Sequence, residues 1–151
     1  MMRFLLIDRI VEVSPGKSIK GIKNVAMSED FLEFHFPKNP VMPGVMLIES
    51  LVQLAGWLTC VTSEFKEWFL PEQIEKAKFY SFALAGDQVE LEVTLTNKDD
   101  DGKLTFSAMG NVAGKKKVIA VFSGVTIGLD QLETPADIEH MYKVLKRDFQ
   151  L

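Results

Sequence analysis

The chain of 151 residues has a single cysteine, two histidines and no excess of positive charge. One cysteine excludes an intramolecular disulfide, and the apolar neighbours of Cys60 predict a small buried side chain instead of a reactive thiol. A net charge of -4 provides no broad positive field for a phosphate backbone, so we expect no nucleic-acid partner. The two histidines, His35 and His140, belong to no cluster with metal-ligand spacing, so we expect neither a metal nor a cofactor.

The sequence also has little that would direct it to a membrane. Its first residues contain only a short apolar run before Asp8 and Arg9, without a small-residue cleavage site, which argues against a signal peptide. The longest apolar segment, 45–61, carries Glu49 and Gln53 and would span only roughly 25 Å as a helix, which is short for a membrane span. We therefore expect a cytoplasmic protein with no membrane partner.

Hydrophobic periodicity predicts one α+β domain. Apolar and polar residues alternate over 88–96, as in a strand with one wet face. Together with turn signals, the pattern predicts antiparallel strands at 17–26, 31–36, 77–84, 88–96, 104–112 and 118–127. The segment 45–61 is apolar on nearly every face, and a helix of that kind must be wrapped by other elements. We therefore predict a long central helix enclosed by a curved antiparallel sheet.

No repeat, low-complexity tract or long linker divides the chain. We predict that residues 1–128 form the main domain and that 129–151 extend the same domain. In this extension Thr134 and Pro135 indicate the start of an added amphipathic helix. Its apolar stripe comprises Ile138, Met141, Tyr142, Leu145 and Phe149.

A proline-rich segment leads from the predicted strand 31–36 into the helix. Pro37, Pro40 and Pro43 exclude regular structure there and stiffen the path. His35 precedes this segment between two phenylalanines, where an apolar setting favours a neutral imidazole that can accept a proton. A histidine in such a setting is also commonly structural, so both interpretations stay open on this feature alone.

The start of the helix carries further candidate residues. An unpaired Glu49 carboxylate buried in an apolar helix would tend to take up a proton, and a protonated carboxyl is a usable general acid. Gln53 is one turn further on the same face and could orient that carboxyl or form a purely structural pair with it. Gly44 precedes N–H groups that have no partner within the helix and favour an oxyanion, although it could instead permit a tight turn after Pro43.

The segment 35–56, HFPKNPVMPGVMLIESLVQLAG, resembles the central motif of 3-hydroxyacyl-[acyl-carrier-protein] dehydratases of bacterial fatty acid synthesis, of the FabZ and FabA type. It has a histidine followed by Phe-Pro, the run Pro-Val-Met-Pro-Gly, an acidic residue 14 positions after the histidine and a glutamine four beyond that. The resemblance covers roughly residues 3–128. It implies a hot-dog fold and a homodimer with sites shared across the interface; assembly beyond the dimer stays open.

The resemblance also implies an activity and a role for each candidate residue. The enzyme would dehydrate (3R)-hydroxyacyl thioesters, delivered by acyl carrier protein, to trans-2-enoyl thioesters. His35 would remove the C2 proton, the partner subunit's Glu49 would protonate the departing hydroxyl, the Gly44 N–H would bind the thioester carbonyl and Gln53 would hold the Glu49 carboxyl. Glutamate at position 49 favours the branch that does not also isomerise the double bond.

Three positions depart from the pattern. Phe34 and Lys38 stand where the family usually has glycine, and Ala85 stands where it usually has proline. These departures, together with the added helix, leave open a specialised relative that serves a polyketide or other dedicated acyl pathway. Two other functions also stay open: a thioesterase on the same fold, and a non-catalytic subunit that binds acyl chains or an active partner.

Overall fold

The computed structural model describes residues 5–36 and 38–148. Pro37, Phe149 and the side chain of Phe34, about which the sequence supported predictions, lie outside the described part. The strands are β1 (Arg9–Ser14), β2 (Ser18–Asn24), β3 (Glu67–Phe79), β4 (Gln88–Lys98), β5 (Leu104–Val112) and β6 (Lys115–Gly128). The helices are α1 (Asp30–Phe34), α2 (Gly44–Thr62) and α3 (Pro135–Lys146), and a short 3-10 helix covers Leu129–Gln131.

The six strands form one antiparallel sheet in the order β1-β2-β4-β5-β6-β3. Helix α2 packs against the strands from β2 to β6. This confirms the predicted α+β fold, in which a long apolar helix is wrapped by an antiparallel sheet and a helix is added at the C-terminal side. The predicted meander of β4, β5 and β6 is also confirmed.

Helix α2 is the centre of the core. Every residue from Leu47 to Cys60 is buried except Glu49. The helix is long and apolar enough to cross a membrane, but 72% of its apolar window is buried inside this fold. Burial also raises the pKa of the Cys60 thiol to about 12, so the thiol stays protonated and packs as a small apolar side chain, as predicted.

The predicted strand at 31–36 is wrong, because residues Asp30–Phe34 form the short helix α1. A short run of apolar residues has a weak period, and strand and helix cannot be distinguished from it. The local contacts favour a helical turn: the Leu32 N–H donates to the Glu29 carbonyl, and the Glu29 carboxylate accepts the Ala26 N–H and the buried Lys23 ammonium. Leu32 is thereby turned into the core.

The predicted strand at 77–84 is displaced, because β3 runs from Glu67 to Phe79. β3 is an edge strand that pairs only with β6, and its residues after Phe69 are exposed without a two-residue alternation. Its pairing is interrupted between Pro71 and Gln73 and again before Lys76, and edge strands tolerate such proline and bulge positions. Strand β1, at the other edge, has a similarly irregular burial pattern and was not predicted.

The predicted C-terminal helix is confirmed as α3, with Thr134 at its N-cap and Pro135 in its first turn. Ile138 and Leu145 on its apolar stripe are buried. The Tyr142 ring lies 5.9 Å from the Trp57 ring and 5.6 Å from the Phe65 ring, measured between centroids. The helix therefore packs on the end of α2 as well as on β1.

Close packing between α2 and β3 generates a stability prediction. A methyl group added at Gly56 would lie 2.4 Å from atoms of the Trp68 ring. Alanine is intrinsically better than glycine in a helix by about 1 kcal/mol, yet we expect Gly56→Ala to lower the free energy of unfolding by about 1–3 kcal/mol through overpacking. Urea unfolding followed by circular dichroism measures this change. In a Trp68→Leu background the same substitution should cost clearly less, and an equal cost there would contradict the assigned contact.

Candidate active site

Glu49 and Gln53 lie one turn apart on α2 and their side chains are in contact. The Gln53 Nε2 donates to Glu49 Oε1 at 3.3 Å, and Gln53 Oε1 accepts the Leu6 N–H at 3.0 Å. Gln53 is only 5% exposed, so this amide is a fixed link between the helix and the segment that precedes β1.

The expectation that Glu49 is buried is wrong for the single chain, in which this side chain is exposed. The neighbours of Glu49 on α2 point into the sheet, whereas Glu49 lies on the strip of helix surface that the sheet leaves uncovered. In the single chain this carboxylate is therefore accessible to solvent.

His35 lies at the end of α1, half-buried, where a short loop returns to the sheet. Its Nδ1 is 3.2 Å from the Val41 carbonyl oxygen, and its ring stacks on the Phe36 ring with 4.1 Å between centroids. When Nδ1 carries the proton it donates to this carbonyl, and Nε2 then presents a lone pair that can accept a proton. This arrangement is suited to a general base.

The loop after His35 is held by backbone hydrogen bonds. Phe36 and Asn39 exchange N–H···O bonds of 2.9 Å in both directions, and the Val41 N–H donates to the His35 carbonyl at 2.9 Å. Val41 also forms a bridge with Leu84. The ring of His35 is therefore positioned by a closed loop that is attached to the sheet side of the molecule.

Gly44 begins α2, and the Phe79 ring at the end of β3 lies directly against it. A Cβ at position 44 would be 2.5 Å from a Phe79 ring carbon. Met46 and Leu47 donate their N–H groups to the Pro43 carbonyl, so within the helix the N–H of Gly44 has no acceptor. This close approach requires a glycine at position 44. A left-handed turn is not the reason for the glycine, because φ at Gly44 is not positive.

Two of the departures from the dehydratase pattern have visible backbone settings. Lys38 adopts φ of 72°, in the left-handed region that favours glycine, the residue usual at this position in the family. Ala85 is half-buried against the core and precedes Gly86, which has φ of 93° and donates its N–H to the Val25 carbonyl.

A single chain brings the candidate residues together only in part. Glu49 and Gln53 line a cavity of about 270 Å³, and neither His35 nor Gly44 is among its lining residues. The other lining residues are mostly apolar: Val52, Trp68, Phe69, Leu70, Pro71, Ile127, Leu129, Leu132, Glu133 and Ile138. The apolar walls of this cavity were not predictable from the sequence, because they come from β3 and from the end of β6 and the segment after it, which lie far from α2 in the chain and carry no motif.

Within residues 5–36 and 38–148, no three His, Cys, Asp or Glu side chains are grouped so that they could hold a metal ion. The candidate site offers the imidazole, the carboxyl, the amide and the helix N–H described above. Such a set can exchange protons with a substrate and stabilise a developing oxyanion.

Comparison with known proteins identifies the family of this chain and several of its relatives. Residues 1–123 match the family described as the FabA-like domain. The chain belongs to the FabA-like family. This FabA-like chain is 46% identical over 93 residues to the 3-hydroxyacyl-[acyl-carrier-protein] dehydratase FabZ of Thermoanaerobacter sp.. This match covers 61% of the chain and 66% of that relative, which is just under two thirds of its length. It is 39% identical over 134 residues to the FabZ of Geobacter metallireducens, covering 85% and 87% of the two chains.

Solved structures show the same fold at low sequence identity. The FabA-like chain aligns with the dehydratase heterocomplex ApeI:P from Xenorhabdus doucetiae with a TM-score of 0.65 and 13% identity, over 91% of this chain and 88% of the other. A hot-dog-like protein from Thermanaerovibrio acidaminovorans aligns with a TM-score of 0.63 and 16% identity, over 86% and 93%. The expected hot-dog fold is therefore confirmed.

The double role of Gln53 generates the prediction for this site. Replacing it by methionine removes the acceptor of the buried Leu6 N–H and the donor to Glu49. We expect Gln53→Met to lower the free energy of unfolding by about 1–3 kcal/mol, because a buried donor is left unsatisfied. Gln131→Met, on the exposed 3-10 helix, is the matched control and should change stability by no more than about 0.5 kcal/mol. Equal values for the two variants in urea unfolding would contradict the linking role.

Proposed function

We propose that this FabA-like chain is a 3-hydroxyacyl-[acyl-carrier-protein] dehydratase, which converts (3R)-hydroxyacyl thioesters to trans-2-enoyl thioesters in fatty acid or related acyl-chain biosynthesis. The observation that carries the proposal is that the chain has both an imidazole whose Nε2 can accept a proton and a carboxyl held by a buried amide. The family membership and the names of the relatives support the same reaction. The proposed partner is an acyl carrier protein that delivers the thioester.

The proposed reaction uses one base and one acid. Nε2 of His35 removes a proton from C2 of the thioester, and the electron pair moves toward the thioester carbonyl, whose oxygen accepts the Gly44 N–H. Protonated Glu49 donates its proton to the C3 hydroxyl, which leaves as water while the C2–C3 double bond forms. The enzyme then holds a protonated His35 and an ionised Glu49, and transfer of one proton back from the imidazole to the carboxyl restores the starting state.

We also propose that the active species is a homodimer in which His35 faces the partner subunit's Glu49. The unpaired edge of β3 supports this assembly, since an exposed strand edge is a template for pairing with another chain. Apolar side chains along this region are exposed in the single chain, including Leu70, Ile74 and Val45. A second copy that covered this region would also cover the exposed Glu49 side chain.

The cellular location of the protein and the extent of its domain are also proposed. We propose a cytoplasmic protein, which is supported by the burial of the one long apolar helix, α2, inside the fold. We propose that residues 129–151 extend the same domain, supported by the packing of α3 on β1 and on the end of α2.

The first test removes the base and the acid separately. We expect the parent protein to form enoyl product from 3-hydroxybutyryl acyl carrier protein, and His35→Ala and Glu49→Gln to lower kcat/KM by about 100-fold to 10,000-fold, the usual contribution of a general acid or base. Ultraviolet absorbance of the enoyl thioester measures the product. Release of free thiol without enoyl product would instead identify a thioesterase, and an inactive parent would favour the non-catalytic interpretation.

Mixing the two inactive variants tests whether the site is shared. Random pairing makes about half of the dimers mixed, and each mixed dimer regains one of its two sites, so we expect roughly a quarter of the parent activity. Denaturing and refolding the two variants together gives the mixture, and each variant refolded alone is the control. No recovery in a mixture that has been shown to contain mixed dimers would place both residues in a site within one chain.

The edge of β3 generates the prediction on assembly. A lysine at Ile74, which is 55% exposed on this edge strand, introduces a charge that is costly to bury between two copies. We expect Ile74→Lys to sediment as a monomer and to lose dehydratase activity. Val11→Lys, at a 47% exposed position on the opposite edge strand β1, should remain a dimer. An Ile74→Lys variant that remains a dimer would exclude β3 as the interface.

A further inference from the structure

One wall of the cavity beside Glu49 comes from a part of the chain that lies beyond the family match. The match ends at residue 123, whereas Leu129, Leu132 and Ile138 all line the cavity. Glu49 and Gln53 lie at its polar part, and apolar side chains from β3, among them Phe69, form another wall. The cavity therefore has both the proposed acid and the C-terminal extension in its lining.

The cavity wall formed by the C-terminal extension is fixed in position. The Leu129 side chain is 1% exposed, and its N–H donates to the Lys66 carbonyl at 2.8 Å. Further along, the Tyr142 ring of α3 packs on the rings of Trp57 and Phe65 at 5.9 and 5.6 Å. Because both ends of the segment are attached to the core, the wall between them is a stable boundary.

The size and chemistry of the cavity suit a short hydrocarbon. Its volume is about 270 Å³, more than the roughly 150 Å³ that is enough for benzene in an apolar protein cavity and below the roughly 300 Å³ at which drug-sized ligand pockets begin. Apart from Glu49, Gln53 and Glu133, its lining side chains are apolar. An apolar chain that starts near Glu49 would replace solvent there and gain hydrophobic stabilisation.

We propose that the C-terminal extension sets the acyl chain length that this protein accepts, with Leu132 and Ile138 as specificity-determining residues that restrict the site to short acyl chains. This inference rests on the proposed dehydratase function, because it places the acyl tail of the thioester in the cavity next to the acid. Leu132 is 44% exposed and Ile138 is buried, so Leu132 can be changed with less effect on folding.

The experiment compares kcat/KM for 3-hydroxybutyryl and 3-hydroxyoctanoyl pantetheine thioesters. Leu132→Ala should raise the ratio of octanoyl to butyryl turnover by at least roughly fourfold, which corresponds to burial of one further methylene, and Leu132→Phe should lower it. Val144→Ala, at a 37% exposed position on α3 that does not line the cavity, should leave the ratio at the parent value. An unchanged ratio in both Leu132 variants would overturn the inference.

A binding measurement separates this inference from the proposed function. Octanoyl pantetheine has no hydroxyl to eliminate, so it reports occupancy alone, and Trp68 in the cavity wall provides a fluorescence signal. We expect tighter binding to Leu132→Ala than to the parent and weaker binding to Leu132→Phe. If the parent fails to dehydrate either substrate while this order of binding holds, the dehydratase proposal fails and the acyl site stands. If dehydration proceeds and the parent and both Leu132 variants bind octanoyl pantetheine equally, the proposed placement of the acyl chain at this wall is wrong.

Discussion

The burial of α2 is the constraint on which the rest of the structure depends. A helix that is apolar on all sides is not stable when it is exposed to water, so it has to be buried. Five strands of the sheet and α3 pack on α2 and bury it. The approach is close enough for Gly56 to accommodate the Trp68 ring, and the same closeness brings Phe79 against Gly44. The position of the first turn of α2, and with it the site, is therefore fixed by core packing.

Against that apolar background the few polar groups of α2 have defined connections. Glu49 is the exposed residue in the run from Leu47 to Cys60, and Gln53 is a buried one whose amide is hydrogen-bonded at both ends. A buried amide is stable only when its donor and acceptor are satisfied. The carboxyl is consequently held on a rigid element by a partner that also ties down the chain before β1.

The parts of the fold that were predictable from the sequence are those with strong local periodicity. The alternation in β4 and the continuous apolar run in α2 each have a burial cause that acts within the segment itself. The segment of α1 is too short for its period to be decisive, and the edge strand β3 has no buried face beyond Phe69 to produce one. Both were misassigned for that reason.

The candidate site was predictable in its residue types but not in its surroundings. The motif from His35 to Gln53 indicated the reactive groups, whereas the exposure of Glu49 depends on how the sheet curves past one strip of α2. The contact between Phe79 and Gly44 and the cavity wall at Leu132 join residues far apart in the sequence. Apolar contacts of this kind carry no local signature.

The position of Leu129 and Leu132 after the last strand has a consequence for how this protein family can diversify. Residues of β3 and β6 have partners across the sheet, so changing them alters strand pairing as well as any cavity they line. The segment between β6 and α3 belongs to no strand; although its Leu129 N–H donates to the Lys66 carbonyl, the Leu132 side chain is 44% exposed and can change in size without altering strand pairing. Substitutions in a terminal segment of this kind can change one wall of a cavity while the sheet and the central helix stay unaltered.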